Sequence, residues 1–191
     1  MGPAHKARDD GVYGGERVSS APPLSLKLLN SMNQTGFTTA LGFAFELSPW
    51  VVERAWDERP FASVEAMHTA MMAVLDASTT ADKLALIRAH PELASKAAIA
   101  KQLTAESNAE QASAGLDRLT PEEFARFHDL NAAYRERFGF PFIICVRLND
   151  KASILAAMHA RLSNDEATEI VEAIQQIGLI SKLRLLDSVT T

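Results

Sequence analysis

Histidine followed by proline, at His90-Pro91, is a feature of the chain that could support proton transfer. Proline is favoured at the first position of a helix, so the pair predicts a helix that begins at Pro91 with His90 near its N-cap. The positive end of such a helix disfavours the imidazolium and keeps the ring neutral near pH 7. A neutral, fixed imidazole suits general acid–base catalysis. The alternative, a histidine that merely caps a helix, stays open.

The segment Ser107-Asn-Ala-Glu110-Gln111 has two interpretations. Its spacing is that of a capping box, in which Ser107 caps a helix and Glu110 folds back onto it. Spacing alone favours this structural interpretation. In the functional interpretation, Glu110 and Gln111 face a ligand, because one carboxylate can accept two parallel N–H bonds from a urea-like group.

Three arginines, Arg147, Arg161 and Arg184, could each bind a carboxylate. Arg161 follows a helical run and is expected to be a cation at a helix end. Arg184 lies among leucines of the last helical run. A charged side chain there either extends to solvent or faces a buried anion.

An apolar segment that cannot be helical lies at residues 140–147, because Gly139 and Pro141 interrupt the helical pattern. In a helical protein such a segment must be buried, and its N–H and C=O groups need partners. A polar ligand could be the partner, but a connector that neighbouring helices satisfy is more common.

The composition predicts a globular protein that binds neither nucleic acid nor membranes. The 191 residues are 47% hydrophobic and 23% charged, with a net charge of −5, so no basic surface is expected. No apolar run approaches the roughly 18 residues that span a bilayer, and residues 1–21 lack the apolar core of a secretory signal. The single cysteine, Cys145, is interpreted as a small buried hydrophobe, which fits a reducing, cytoplasmic location.

No metal site is predicted, since His68, His128 and His159 lie in helical patterns without ligand-spaced partners. Residues 1–23 contain few apolar side chains and are predicted to be a flexible tail. Residues 24–191 are predicted to be one all-α domain, a bundle of about eight helices with one buried extended segment.

The helix boundaries follow from capping signals. Helices are predicted to begin after Ser48, Ser63 and Thr79 or Thr80, and at two capping boxes, Thr120-Pro-Glu-Glu123 and Ser163-Asn-Asp-Glu166. Gly139 is expected to end the helix that starts at Pro121. The last helix is expected to extend to about Leu186, because its apolar residues from Ile170 onward follow the 3.6-residue period.

Seven short motifs follow one another along the chain: Ser48-Pro49-Trp50, Arg59-Pro60-Phe61, His90-Pro-Glu-Leu-Ala94, Ser107-x-x-Glu110-Gln111, Ala114-Gly115-Leu116, Asn131-x-x-Tyr134 and Phe138-Gly-Phe-Pro-Phe-Ile-Ile-Cys-Val-Arg147. In this order and spacing they resemble the 2-oxo-4-hydroxy-4-carboxy-5-ureidoimidazoline (OHCU) decarboxylase family, which forms (S)-allantoin in urate breakdown. The resemblance covers residues 24–186. Glu92 departs conservatively from the family pattern, in which Asp is common.

The resemblance implies a cofactor-free, all-helical and usually homodimeric enzyme with a small ureidoimidazoline substrate. His90, Glu110 and Arg184 match catalytic positions of the family, with Arg161 as the alternative arginine. The implied substrate-binding positions are Pro91, Ser107, Glu110, Gln111, Phe142, Ile143, Ile144, Cys145 and Val146.

The expected reaction is loss of CO₂ from OHCU. Glu110 and Gln111 would hold the ureido group, and amides of residues 142–146 would hold ring carbonyl oxygens. His90 would either remove the hydroxyl proton or orient the carboxylate. Two alternatives stay open: a helical lyase or hydrolase for another ureido acid, and a non-catalytic binding module. The binding module predicts that His90, Glu110 and residues 142–146 do not converge.

Overall fold

The computed structural model describes residues 24–191, which contain ten α-helices, two 3-10 helices and a two-stranded parallel sheet. The predicted flexible tail at residues 1–23 lies outside the described residues. In chain order the elements are β1 (Leu24–Ser25), α1 (Leu26–Ser31), α2 (Gln34–Leu41), α3 (Trp50–Ala55), a 3-10 helix (Trp56–Glu58), α4 (Val64–Ala77), α5 (Thr80–Ala89), α6 (Lys96–Ile99), α7 (Ala105–Ser113), α8 (Pro121–Phe138), a 3-10 helix (Val146–Leu148), α9 (Lys151–Arg161), α10 (Glu166–Ser188) and β2 (Val189–Thr190).

The all-α prediction is confirmed, although the described part has more helices than the eight that were expected. The difference lies in short elements, since α6 has only four residues and α1 only six. The sequence also did not indicate the parallel pairing of Leu24 with Val189 and Ser25 with Thr190. Strands of two residues are too short to show an alternating pattern.

The boundaries of α8 agree with the capping signals. Thr120 Oγ1 accepts a hydrogen bond from Glu123 N at 3.2 Å, and Glu123 Oε2 accepts one from Thr120 N at 2.9 Å. Gly139 ends the helix with φ of 70°, a left-handed conformation that glycine adopts without steric cost.

The predicted caps of α10 and α3 are wrong. Helix α10 is capped by Asp165, whose side chain accepts from Thr168 N at 2.7 Å, and not by Ser163. At α3 the capping position is Pro49 rather than Ser48, and no side chain caps the helix. Ser163 and Asp165 both belong to the residue types that favour an N-cap, so the residue types alone do not decide between them.

The long helix α10 carries the centre of the core. Its buried side chains include Ile170, Ala173, Ile174 and Ile177, as the period predicted, and the helix packs against α4 and α5. Helices α8 and α9 pack against each other beside it. This arrangement holds α5, α7 and α10 around a common space.

The predicted extended segment is present. Residues 141–145 have no regular secondary structure, and residues 142–145 are buried. Cys145 N donates to Gln176 Oε1 of α10 at 2.9 Å, and Ile143 O accepts from Arg161 Nη1 of α9 at 2.8 Å. Side chains of the two last helices therefore fix this segment, as the connector interpretation requires.

Candidate active site

A small cavity of about 30 Å³, partly open to solvent, lies where α5, α7, α10 and the extended segment meet. Its walls are formed by His90, Pro91, Leu93, Ser107, Glu110, Gln111, Phe142, Ile143, Ile144, Val146, Ile180 and Arg184. The predicted site residues thus converge, with the exception of Cys145. The binding-module alternative predicted that these residues lie apart, and the structure contradicts that prediction.

His90 is placed differently from the prediction. It caps the C-terminus of α5, with its backbone N donating to Ile87 O at 3.1 Å, and residues 91–94 form no helix. The prediction that a helix N-terminus keeps the His90 ring neutral is therefore wrong. The turn that follows is stabilised by tertiary contacts, which the His-Pro pair could not reveal.

The His90 ring is nevertheless held in one tautomer. Nδ1 lies 2.9 Å from Leu86 O, and because a carbonyl can only accept, Nδ1 carries the proton. Nε2 is left as the basic nitrogen, and no protein group within residues 24–191 bonds to it.

Burial also favours the neutral ring. Burial lowers the pKa of His90 and the positive charge of Arg184 acts in the same direction, whereas the Leu86 carbonyl and the charge of Glu46 oppose them. His90 is thus a neutral imidazole near pH 7, for a physical reason other than the one predicted.

Arg184 is buried and all five of its N–H groups have protein acceptors. Nε and Nη2 each lie 2.7 Å from an oxygen of Glu110. Nη1 donates to Phe43 O at 3.0 Å and to Glu46 Oε2 at 3.3 Å, and Nη2 also donates to Ser107 Oγ at 3.3 Å. Burial alone would lower the pKa of Arg184, but the two carboxylates more than offset it and raise the pKa.

Glu46 contacts the site residues Ser107 and Arg184 from behind the cavity wall, and the sequence did not single it out. Its carboxylate is buried and accepts hydrogen bonds from Thr104 Oγ1 and Ser107 Oγ, both at 2.9 Å. The sequence did contain a signal, because Glu46 stands between Phe45 and Leu47. A charge among apolar residues was recognised for Arg184 but not for Glu46.

The capping-box interpretation of Ser107 and Glu110 is wrong. Helix α7 begins at Ala105, and its cap is Thr104, whose Oγ1 accepts from Ser107 N at 3.3 Å. Ser107 and Glu110 lie one turn apart within the helix and face Arg184. Their spacing therefore reflects a shared helix face.

The side chain of Gln111 holds the turn that follows His90. Its Oε1 accepts from Ala94 N at 3.0 Å, and its Nε2 lies 3.4 Å from Glu92 O. Asn131 Nδ2 of α8 donates to Leu93 O at 2.8 Å. Ala94 has a φ of 52°, so two amide side chains stabilise a strained turn beside the cavity.

The extended segment contributes backbone donors. The N–H groups of Phe142, Ile143, Ile144 and Val146 have no acceptor within residues 24–191. Successive N–H groups of extended backbone point to opposite sides, so the Ile144 amide points away from Gln176, which binds the Cys145 amide. Cys145 itself is fully buried, and burial raises the pKa of its thiol.

The other two candidate arginines lie outside the cavity. Arg161 pairs with the buried Glu169, which also accepts from Tyr134, and its guanidinium lies 4.4 Å from the Phe142 ring. Arg147 pairs with Asp187. Of the predicted alternatives, Arg184 therefore lines the cavity and Arg161 supports the extended segment from behind.

Within residues 24–191, no three His, Cys, Asp or Glu side chains are grouped so that they could hold a metal ion. None of the helices described here is both long and apolar enough to cross a bilayer.

An all-α protein that encloses ionised side chains and free amides in one cavity belongs to the class of helical proteins with a site for a small polar molecule. Its sequence matches the OHCU decarboxylase family over residues 30–186. The chain therefore belongs to that family, in agreement with the resemblance.

Curated relatives match along nearly their whole length. The 2-oxo-4-hydroxy-4-carboxy-5-ureidoimidazoline decarboxylase of Haloferax volcanii is 40% identical over 164 residues, covering 86% of this chain and 95% of the relative. The decarboxylase of the same name from Mus musculus is 36% identical, covering 83% of this chain and 89% of the relative.

Two crystal structures have a similar fold. A structure of (S)-allantoin synthase has a TM-score of 0.70 at 30% identity, covering 88% of this chain and 55% of that longer chain. An OHCU decarboxylase crystallised in the presence of (S)-allantoin has a TM-score of 0.62 at 22% identity, covering 82% of this chain and 97% of the other.

Proposed function

We propose that this protein is a carboxy-lyase that converts OHCU to (S)-allantoin and CO₂ in urate degradation. The observation that carries the proposal is the convergence of His90, the Glu110–Arg184 pair and the extended segment (Phe142, Ile143, Ile144 and Val146) on one cavity, in a chain of the OHCU decarboxylase family.

The chemistry of OHCU suits such a site. One ring carbon carries both the carboxylate and a hydroxyl, and its neighbour carries the ureido group and belongs to an imine. When the carbon–carboxylate bond breaks, its electron pair forms a double bond to the neighbouring carbon, and the imine nitrogen accepts electrons and a proton. The hydroxyl then becomes a carbonyl as a proton is added to the carbon that bears the ureido group, which creates the stereocentre of allantoin.

His90 is proposed as the group that moves the proton. Its neutral Nε2 can take the hydroxyl proton, because the Leu86 carbonyl keeps the other nitrogen protonated. The alternative task, orienting the departing carboxylate, requires the same placement. Burial favours the neutral form of the ring, which the first of these tasks requires because only a neutral imidazole can act as a base.

Glu110 is proposed to hold the ureido group. Each carboxylate oxygen accepts one N–H from Arg184 and retains a lone pair for an N–H of the ligand. Gln111 has its oxygen on Ala94 N, so its contribution to binding is proposed through Nε2, whose bond to Glu92 O is long at 3.4 Å.

The free amides of the extended segment are proposed to bind a ring carbonyl oxygen and to stabilise negative charge as CO₂ departs. Fixed orientation also explains the stereochemistry, since protonation without the protein gives both enantiomers. A site that presents one face of the planar intermediate to a proton donor produces one of them.

The proposal is tested by circular dichroism in a coupled assay. Urate is converted enzymatically to OHCU in situ, and purified protein is added without metal. Rapid growth of the (S)-allantoin signal, absent with His90→Asn, supports the proposal. A signal no faster than the protein-free control overturns it and favours another ureido acid or simple binding.

The state and location of the protein are also proposals. We propose a cytoplasmic homodimer, which the family resemblance and the single buried cysteine support. Exposed Val171, Leu179 and Leu186 lie on one side of α10 and are candidates for the contact between copies. Light scattering after size exclusion would give the mass of a dimer, and a monomer at micromolar concentration would contradict it.

A further inference from the structure

Glu46 is buried at the back of the cavity wall but does not line the cavity. Only 5% of the residue is exposed, and it precedes α3 in a loop where Leu47 has a φ of 46°. A left-handed conformation at a branched residue costs free energy, as does burial of a carboxylate. Local structure gives no reason for either cost.

The hydrogen bonds of Glu46 give the reason. Its Oε1 accepts from the Thr104 hydroxyl at 2.9 Å, and its Oε2 accepts from the Ser107 hydroxyl at 2.9 Å and from Arg184 Nη1 at 3.3 Å. Glu46 therefore joins the loop before α3 to the start of α7 and to the C-terminal part of α10.

Glu46 determines which groups donate and which accept in the hydrogen bonds between Ser107 and Arg184. A serine hydroxyl has one proton, and Ser107 donates it to Glu46. The Ser107 oxygen must then act as an acceptor, and Arg184 Nη2 donates to it at 3.3 Å. Glu46 thus fixes one edge of the guanidinium directly and supports the other through Ser107.

Glu46 and Ser107 hold the Nη1 and Nη2 end of the guanidinium. The Nε–Nη2 edge of Arg184 then faces Glu110 and donates to both of its carboxylate oxygens at 2.7 Å. These two bonds fix the rotation of the Glu110 carboxylate about its Cγ–Cδ bond, and with it the direction of the lone pairs that remain free. Because the planar fork of arginine transmits orientation, a lysine could not replace it.

We propose that Glu46 is a positioning residue for the decarboxylation: through Ser107 and Arg184 it fixes the orientation in which Glu110 meets the substrate. This inference rests on the proposed function. Glu46, Glu110 and Arg184 together carry a net negative charge. These three side chains therefore serve to orient groups and do not attract the substrate carboxylate.

The test replaces Glu46 by glutamine, which keeps the shape but turns one acceptor oxygen into a donor. Glu53→Gln is the matched control, because it removes the same charge from an exposed position on α3. We expect Glu46→Gln to lower kcat/KM by about 10-fold to 100-fold, while Glu53→Gln stays at the parent value. Glu46→Asp, which retains the charge, should recover part of the loss.

A double-mutant cycle separates positioning from a general loss of stability. If Glu46 acts through Arg184, the Glu46→Gln change should lower kcat/KM further by less than about threefold when Arg184 is already lysine. All assays are made well below the melting temperature of each variant, with the folded fraction measured by circular dichroism.

Two results would overturn the inference: an unchanged kcat/KM in Glu46→Gln, or full additivity with Arg184→Lys. An inactive parent protein, in contrast, overturns the proposed function itself. The two failures are therefore distinguishable in the same set of assays.

Discussion

Arg184 and Glu110 form a bidentate ion pair in which Nε and Nη2 each lie 2.7 Å from a carboxylate oxygen. The pair joins the long last helix to α7, and both side chains line the cavity. Because the Arg184 side chain is only 5% exposed and that of Glu110 only 13%, solvent screens the pair little. The cavity is therefore complete only when α10 has packed against α7.

Replacing His90 by asparagine should remove most activity and leave the fold intact. Asparagine is too short to present a base where Nε2 lies, and loss of a general base lowers kcat by about 100-fold or more. The matched control is His128→Asn, at an exposed position on α8. Steady-state kinetics from the dichroism assay would measure both. Undiminished (S)-allantoin formation by His90→Asn would exclude His90 as the catalytic group.

Lysine substitutions should distinguish the role of the buried Arg184 from that of the partly buried Arg161. Arg184→Lys removes the fork that holds Glu110, so kcat/KM should fall by about 100-fold. Arg161→Lys keeps the positive charge beside Glu169 but removes hydrogen bonds to Glu169 and to Ile143 O, so it should cost about 2 kcal/mol of stability, with a change in kcat/KM below about fivefold. Urea denaturation and kinetics on both variants check this. The opposite pattern would assign the active-site role to Arg161.

Cys145→Ala should leave the chemistry unchanged. The thiol is fully buried and outside the cavity lining, so its loss should cost about 1 kcal/mol of stability through a small void. A thiol reagent should react slowly with the native protein and rapidly after unfolding, because burial raises the pKa of the thiol. Inactivation of a fully stable Cys145→Ala variant would show that the sulfur takes part in the reaction.

The free energy of unfolding should depend on pH through His90. Burial lowers the pKa of His90 in the folded state, whereas an unfolded histidine titrates near about 6.5. Below that pH the unfolded state binds a proton that the folded state does not, so stability falls as the pH decreases through the lowered folded pKa.

Urea denaturation of the parent and His90→Asn between pH 8 and pH 5 measures this effect. The parent should lose more stability toward pH 5 than the variant. Burial also lowers the pKa of His68, but His68 is present in both proteins and cancels in the difference. An equal loss in both proteins would mean that His90 is not buried in its neutral form.

Local signals in the sequence determined most of the helical architecture. The Thr120 capping box and Gly139 involve side chains and backbone within a few residues of each other, so local interactions are enough to form them, whereas the similar signals at Ser107 and Ser163 did not become caps. The same holds for the extended segment, where Pro141 excludes a helix whatever surrounds it. The apolar period of α10 likewise predicted which face is buried.

Tertiary structure decided how these elements combine. Glu46 and Arg184 are 138 residues apart, and no local pattern indicates that they meet. His90 ends one helix instead of beginning another, because Gln111 and Asn131 from two other helices hold the turn after it. Sequence motifs indicated which residues are candidates for the site. Long-range packing set their protonation, their partners and the direction in which each one faces, since these depend on neighbours that only folding brings into contact.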